Sequence, residues 1–218
     1  MISKEAKVLI GIAIVVIGGG VALFLATPKP QEAGKIVDQK QLIRETNHMT
    51  GKTGAKATLV EFGDYQCPYC GVVEPALEAM VDHYKDNADF NFVFKNFPLT
   101  GHPNAVPAAE AAEAAGSQGK FWEMHNLIYS RQSQWENEVD TSTIFINYAR
   151  EVGVADINKF TSDIQNHLQN DLVTTDLADG NSIGVRATPT FYLNGEKLDF
   201  KTLPKSDEFI AKIDAALK

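Results

Sequence analysis

Val60-Glu61-Phe62-Gly63-Asp64-Tyr65-Gln66-Cys67-Pro68-Tyr69-Cys70 carries both cysteines of this 218-residue chain. An apolar run enters the C-x-x-C pair, and apolar residues at helical spacing leave it. A spacing of three puts both sulfurs on one face at the first turn of a helix, close enough to bond to each other. No other cysteine competes, so the pair reads as a reversible dithiol/disulfide centre. Two duller readings are weaker. Structural zinc needs four ligands, and His48, His83, His102, His125 and His167 are scattered singly with no H-x3-5-H spacing. An inert disulfide across so short a loop adds little entropic stabilisation.

Upstream of the pair, residues 57–63 read as a strand with Leu59, Val60 and Phe62 as its apolar content. Before it, residues 36–48 are weakly amphipathic and suggest a short helix, broken off by Gly51 and Gly54. Downstream, Val73, Leu77, Met80, Val81 and Tyr84 mark a helix to about residue 86, with a kink expected at Pro75. Residues 90–94 alternate and continue towards Phe97, a second strand closed by Pro98. Residues 104–183 show no strand signal. They hold an alanine-rich helix over 105–115, a face of Phe121, Trp122, His125, Ile128 and Tyr129, and a helix capped by Asp140 or Thr141 and ended by Gly153. Asp156 caps another, and further turns run through Leu172 and Leu177. Strand character returns at 190–193, turns at Asn194-Gly195, resumes at 197–200, and a last helix starts at Ser206 or Asp207. This order places the chain in the α/β class, a small mixed sheet with a helical insertion.

Length allows one ordinary domain plus an appendage, and 44% hydrophobic residues suffice for a core. Residues 8–26 form a 19-residue run without a charged side chain. As a helix it spans roughly 28 Å, close to the hydrocarbon core of a bilayer. A cleaved signal peptide has a shorter apolar region and small residues before the cut, whereas Phe24 precedes Ala26 here, so a retained anchor is favoured. Lys4 and Lys7 leave the amino terminus in the cytoplasm and the bulk of the chain outside. The expected organisation is a cytoplasmic tail (1–7), a single transmembrane helix (8–26), a linker and lead-in (27–54) and a folded domain (55–218) with its insertion at about 104–183. The first 30 residues carry three lysines and one glutamate, a balance of +2, so the net −8 leaves −10 for the remainder. That acidity argues against nucleic acid and anionic lipid heads as partners. Outside the cytoplasm, disulfides persist.

Four stretches carry a resemblance. They are Asp64-Tyr65-Gln66-Cys67-Pro68-Tyr69-Cys70-Gly71, Phe94-Lys95-Asn96-Phe97-Pro98-Leu99, Gly119-Lys120-Phe121-Trp122 with His125, and Gly184-Val185-Arg186-Ala187-Thr188-Pro189-Thr190-Phe191. Over about residues 45–218 the chain resembles the DsbA-like branch of the thioredoxin superfamily, in its membrane-anchored bacterial form. The resemblance implies a thioredoxin-like fold and a thiol–disulfide oxidoreductase, with no metal and no cofactor beyond the Cys67–Cys70 disulfide. Cys67, at a helix N-terminus that favours a thiolate, is then the nucleophile, and Cys70 resolves the mixed disulfide. Pro68 suits an early helical position. Tyr69 fills the slot that tunes reduction potential; strongly oxidising members carry histidine there, and C-P-Y-C resembles glutaredoxins. Pro189 matches the family's cis-proline, with the Thr188 backbone presented to a substrate strand. Glu61 matches a buried acid that relays protons to the deeper thiol, with Lys95 a candidate charge partner; the alternative is a glutamate on an exposed strand face. His102, His125, Trp122 and Trp135 read as packing or surface.

The leading expectation is an oxidase at the cell membrane, its catalytic domain extracytoplasmic, that introduces disulfides into exported proteins with free thiols. A separate membrane quinone reductase of the DsbB or vitamin-K-epoxide-reductase type reoxidises it. A reductase or isomerase is the alternative within the enzyme class, although the short linker favours a monomer. A tethered chaperone or binding module is the alternative outside it.

Overall fold

The computed structural model describes residues 36–218, so the apolar run at 8–26 and the tail before it lie outside the described residues. Among the described residues no helix is long and apolar enough to cross a membrane. Asp38 caps a single turn, α1 (Gln39–Leu42), its side chain accepting from Lys40 N–H. The helix expected over 36–48 goes no further, because the backbone turns extended at Ile43, with φ −127° and ψ 128°. Residues 48–49 instead form β1 (His48–Met49), an edge strand paired antiparallel with β3 (Phe90–Asn96).

β2 (Ala57–Gly63) lies parallel to β3, and α2 (Pro68–Tyr84) connects them, running on through Pro75 as one element. The insertion is helical throughout: α3 (Ala105–Gly116), α4 (Phe121–Ser130), α5 (Ser142–Glu151), α6 (Ile157–Gln165) and α7 (Asn170–Ser182). Local chemistry sets its boundaries. Gly153, at φ +79°, takes the left-handed turn after α5, and the Asp156 side chain accepts from Lys159 N–H at the start of α6. β4 (Thr190–Leu193) then pairs antiparallel with β2, β5 (Glu196–Leu198) with β4, and α8 (Ser206–Leu217) closes the chain. The sheet order is β1-β3-β2-β4-β5. Asn194 and Gly195, at φ 51° and 89°, make the two-residue turn between β4 and β5.

Alternation along β2 divides the core. Ala57 and Leu59 face α2 and α8, packing with Leu77, Met80, Phe92, Phe209 and Ile213. Val60 and Phe62 face the other way, against Val93, Phe97, Val185 and Tyr192. A third cluster joins the insertion to the cysteines, built on Ala108, Ala111, Ala112 and Ala115 of α3 with Tyr65, Phe94 and Trp135. The small alanine side chains let the neighbouring helices approach closely.

β2 runs towards Cys67, and β4 runs back beside it: Thr190 pairs with Phe62 and Leu193 with Leu59. The β4–β5 turn therefore lies beside the start of β2, where Asn194 Nδ2 donates to the Lys56 carbonyl at 2.8 Å. Val37 N–H bonds to the Gly195 carbonyl at the same pole, at 2.9 Å. From there the lead-in crosses the sheet and is fixed by polar contacts. Arg44 grips Asp179 through Nε and Nη2, Asn47 Nδ2 donates to Asp176 at 2.9 Å, and His48 Nε2 lies 2.8 Å from Glu113.

Candidate active site

Asp64 anchors the turn that delivers Cys67. Its buried carboxylate accepts from Gln66 N–H at 2.8 Å and Leu99 N–H at 2.9 Å, and His102 Nδ1 stands 2.6 Å away. From the insertion, Gln132 donates to the carbonyls of Tyr65 and Cys67 at 2.6 and 3.0 Å. Gly71 makes room for that side chain, since a Cβ there would stand 2.8 Å from Gln132 Oε1. Cys67 is the N-cap of α2 in extended backbone, and Pro68 follows where no backbone N–H is missed.

Both cysteines are free thiols, 3% and 0% exposed for Cys67 and Cys70. The Thr188–Pro189 peptide is cis and sets the Thr188 carbonyl beside Cys67 Sγ, which donates to it at 3.5 Å. The hydrogen bond from the Cys70 thiol does most to lower Cys67 from its ordinary 9.0 to about 5. The Thr188 side chain and the backbone N–H groups of Cys70 and Tyr69 add to this, and burial opposes it. Thr188 Oγ1 has no other partner among the described residues, so it is available to the thiolate. Cys70 goes the other way: burial first and then the bond to Cys67 push it well up. The two sulfurs are thus unequal, one favouring its thiolate and the other its proton.

Glu61 is fully buried, which excludes the alternative of an exposed strand face. Neither carboxyl oxygen has a hydrogen-bond partner among the described residues. Burial first, then the charges of Glu74 and Cys67, raise it well above the usual carboxylate range, so it is a neutral acid beneath the sulfurs. Lys95 is not its partner. The register pairs Glu61 with Phe94 and Phe62 with Lys95, so Lys95 leaves the opposite face of the sheet. There, fully buried, it bonds Asp179 at 2.6 Å and Asp176 at 3.2 Å.

Tyr69 is 61% exposed beside the pair. It lines a cleft of about 360 Å³ with Thr188, Pro189, Phe191, Phe200 and Leu203. Sequence reasoning passed over three further residues. His125, read as packing, is buried between Tyr65 OH at 2.8 Å and Glu74 Oε1 at 3.1 Å. One signal was present: Glu74 interrupts the buried stripe Cys70, Val73, Leu77 and Met80 of α2. Among the described residues no group of three or more histidine, cysteine or acidic side chains is placed to hold a metal.

A thioredoxin family profile matches residues 44–215. The chain belongs to the thioredoxin family. BdbD of Bacillus subtilis, in its oxidised form, superposes with a TM-score of 0.72 at 24% identity, over 87% of this chain and 99% of that one. MdbA of Actinomyces oris, a thiol-disulfide oxidoreductase, gives 0.68 at 17% identity over 81% and 88%. The chain shares its fold with these solved structures over most of their length. Among curated relatives, a Na(+)/H(+) antiporter NhaA 1 of Mycolicibacterium gilvum is 32% identical over 89% of this chain. That of Salinispora arenicola is 35% identical over 70%. The match takes in 32% and 22% of those proteins' own lengths, so their antiporter name describes wholes of which this chain spans a third or less. The site thus brings together an unequal dithiol, a buried acid under it and an adjoining cleft.

Proposed function

We propose that the protein runs as an oxidase, passing the Cys67–Cys70 disulfide to proteins with free thiols outside the cytoplasm. The observation that carries this direction is the Cys67 thiol lowered to about 5. A thiolate stabilised in the reduced form makes the disulfide form relatively less stable, and hence an oxidant. A substrate thiolate attacks Cys67 Sγ, the Cys67–Cys70 bond breaks, and Cys70 leaves and takes up a proton. A second substrate thiolate then attacks the mixed disulfide at the substrate sulfur. Cys67 leaves as the thiolate, and two electrons have passed from the substrate to the enzyme.

The cleft lined by Tyr69, Thr188 and Pro189 suits an extended substrate segment beside Cys67. Reoxidation by a separate membrane quinone reductase of the DsbB or vitamin-K-epoxide-reductase type completes the cycle. The apolar run at 8–26 supports an anchored, single-pass placement of a monomer. Exposed Tyr69, in the slot where strong oxidants carry histidine, favours the second reading, a reductase or isomerase. A redox titration of the full-length protein against glutathione decides: a potential above about −150 mV marks an oxidant, and one near −270 mV sinks the oxidase.

A further inference from the structure

Glu74, Leu77, Glu78 and Val81 recur at helical spacing along α2 and line a second cleft, about 230 Å³ in volume. Phe92 of β3 and Trp122 of α4 also line it. It shares no lining residue with the cleft beside Pro189. A space of that size holds about one long side chain and falls short of a drug-sized ligand.

Two rings and two carboxyl groups meet there. Trp122 tilts against Phe92 with centroids 5.7 Å apart, and meets Phe121 and His125 edge to face, so its ring is held in place. Glu74 is 6% exposed. Its Oε1 lies 3.1 Å from His125 Nε2, while its Oε2 is buried with no partner among the described residues. Glu78, one turn further on and exposed, has no ion-pair partner among them. Burial first, and then the charge of Glu74, raise Glu78 above its ordinary range. Asp82 and Lys85, at the same cleft, satisfy each other at 3.0 Å. Thr50, Phe92, Trp122 and Asn126, the lining from outside α2, bring no charge. Acids four residues apart on one helix repel each other. The cleft thus keeps surplus negative charge beside an aromatic surface, together with a buried oxygen whose partner is missing.

We propose that the cleft between α2 and α4 binds one guanidinium group, the head of an arginine side chain presented by another protein. The planar cation stacks on the Trp122 ring, and its forked N–H donors reach Glu74 and Glu78. Leu77 and Val81 cover its methylene stem. An ammonium group fits less well, because it is compact, strongly hydrated and unable to stack and fork at once. No cysteine lines this cleft, so the inference goes beyond the thiol chemistry and does not depend on it. A protein gripped here leaves the cleft beside Pro189 open.

The test titrates N-acetylarginine methylamide into the full-length, isotope-labelled protein at low salt and follows the two tryptophan indole N–H signals by NMR. The citrulline derivative is the neutral control, and the lysine derivative and free arginine are run beside it. The Trp122 signal should shift saturably at millimolar concentration with the blocked arginine. The Trp135 signal, from a fully buried ring that donates to the Ile128 carbonyl, should stay in place. Glu78→Gln should weaken binding about threefold, and Trp122→Leu or Glu74→Gln about tenfold. Glu78 is exposed, so Glu78→Gln decides if either of the other variants fails to fold. A shift still linear at about 50 mM overturns the proposal. So does equal binding of the citrulline or lysine derivative, or binding that Glu78→Gln leaves unchanged. Free arginine bound more tightly than the blocked form overturns the protein partner in favour of a small molecule.

Discussion

Cys67 and Cys70 start as identical side chains one helical turn apart, and the fold makes them opposites. The N-cap position gives Cys67 the backbone N–H groups of Tyr69 and Cys70, while the second sulfur faces a buried carboxyl. With Cys67 lowered to about 5, its thiolate is nearly complete at neutral pH, although only 3% of the residue is exposed. Reactivity should therefore follow charge rather than exposure. In the reduced protein iodoacetamide is expected to label Cys67 quickly, with a rate rising through about pH 5, and Cys70 slowly. Mass mapping that finds equal labelling counts against these roles. Tyr69, 61% exposed, offers the sulfur no charge. Tyr69→His places a cation beside the thiolate, stabilises the reduced form and should raise the potential by about 30 mV, read against glutathione.

The elements show where sequence reading succeeds and where it stops. β2, α2 and the β4–β5 turn were legible because period-two and period-3.6 patterns and an Asn-Gly pair act locally. β1 was not, because His48 and Met49 become a strand only by pairing with Phe94 and Val93 of a strand some forty residues on. The cysteines and Pro189 stand in recognisable strings. The Glu74–His125–Tyr65 chain joins residues 51 and 60 positions apart, so no string contains it. Lys95 is the sharpest case, since one residue of register sends it to the opposite face from Glu61. There it neutralises Asp176 and Asp179 between β3 and α7, the helix that leads into the Thr188–Pro189 segment. Lys95→Met leaves those carboxylates short of a buried cation and should cost about 3 kcal/mol. Urea denaturation that finds less than about 1 kcal/mol would make the cluster dispensable.

For the molecule as a whole, the lowered Cys67 is a stability statement. Its folded value of about 5 lies below its ordinary 9.0, so the stabilisation is complete above pH 9 and vanishes as pH falls through 5. Each pH unit in between is worth about 1.4 kcal/mol. The disulfide form has no thiol to titrate. The stability of the reduced form minus that of the oxidised form should therefore climb by roughly that amount per unit between pH 6 and 8, by paired denaturant melts. Cys70, shifted upward, acts only at more alkaline pH. A flat difference would mean that Cys67 keeps its proton. The entry of the chain at the Gly195 pole has a mechanical side. Residue 36 joins the domain at the start of β2, and the sulfurs follow its end, a seven-residue strand or roughly 23 Å away. A pull through the upstream chain is borne by the hairpin and the sheet and never strains the dithiol. Whatever load or tether the upstream chain carries thus enters the domain at the pole opposite its reactive sulfurs.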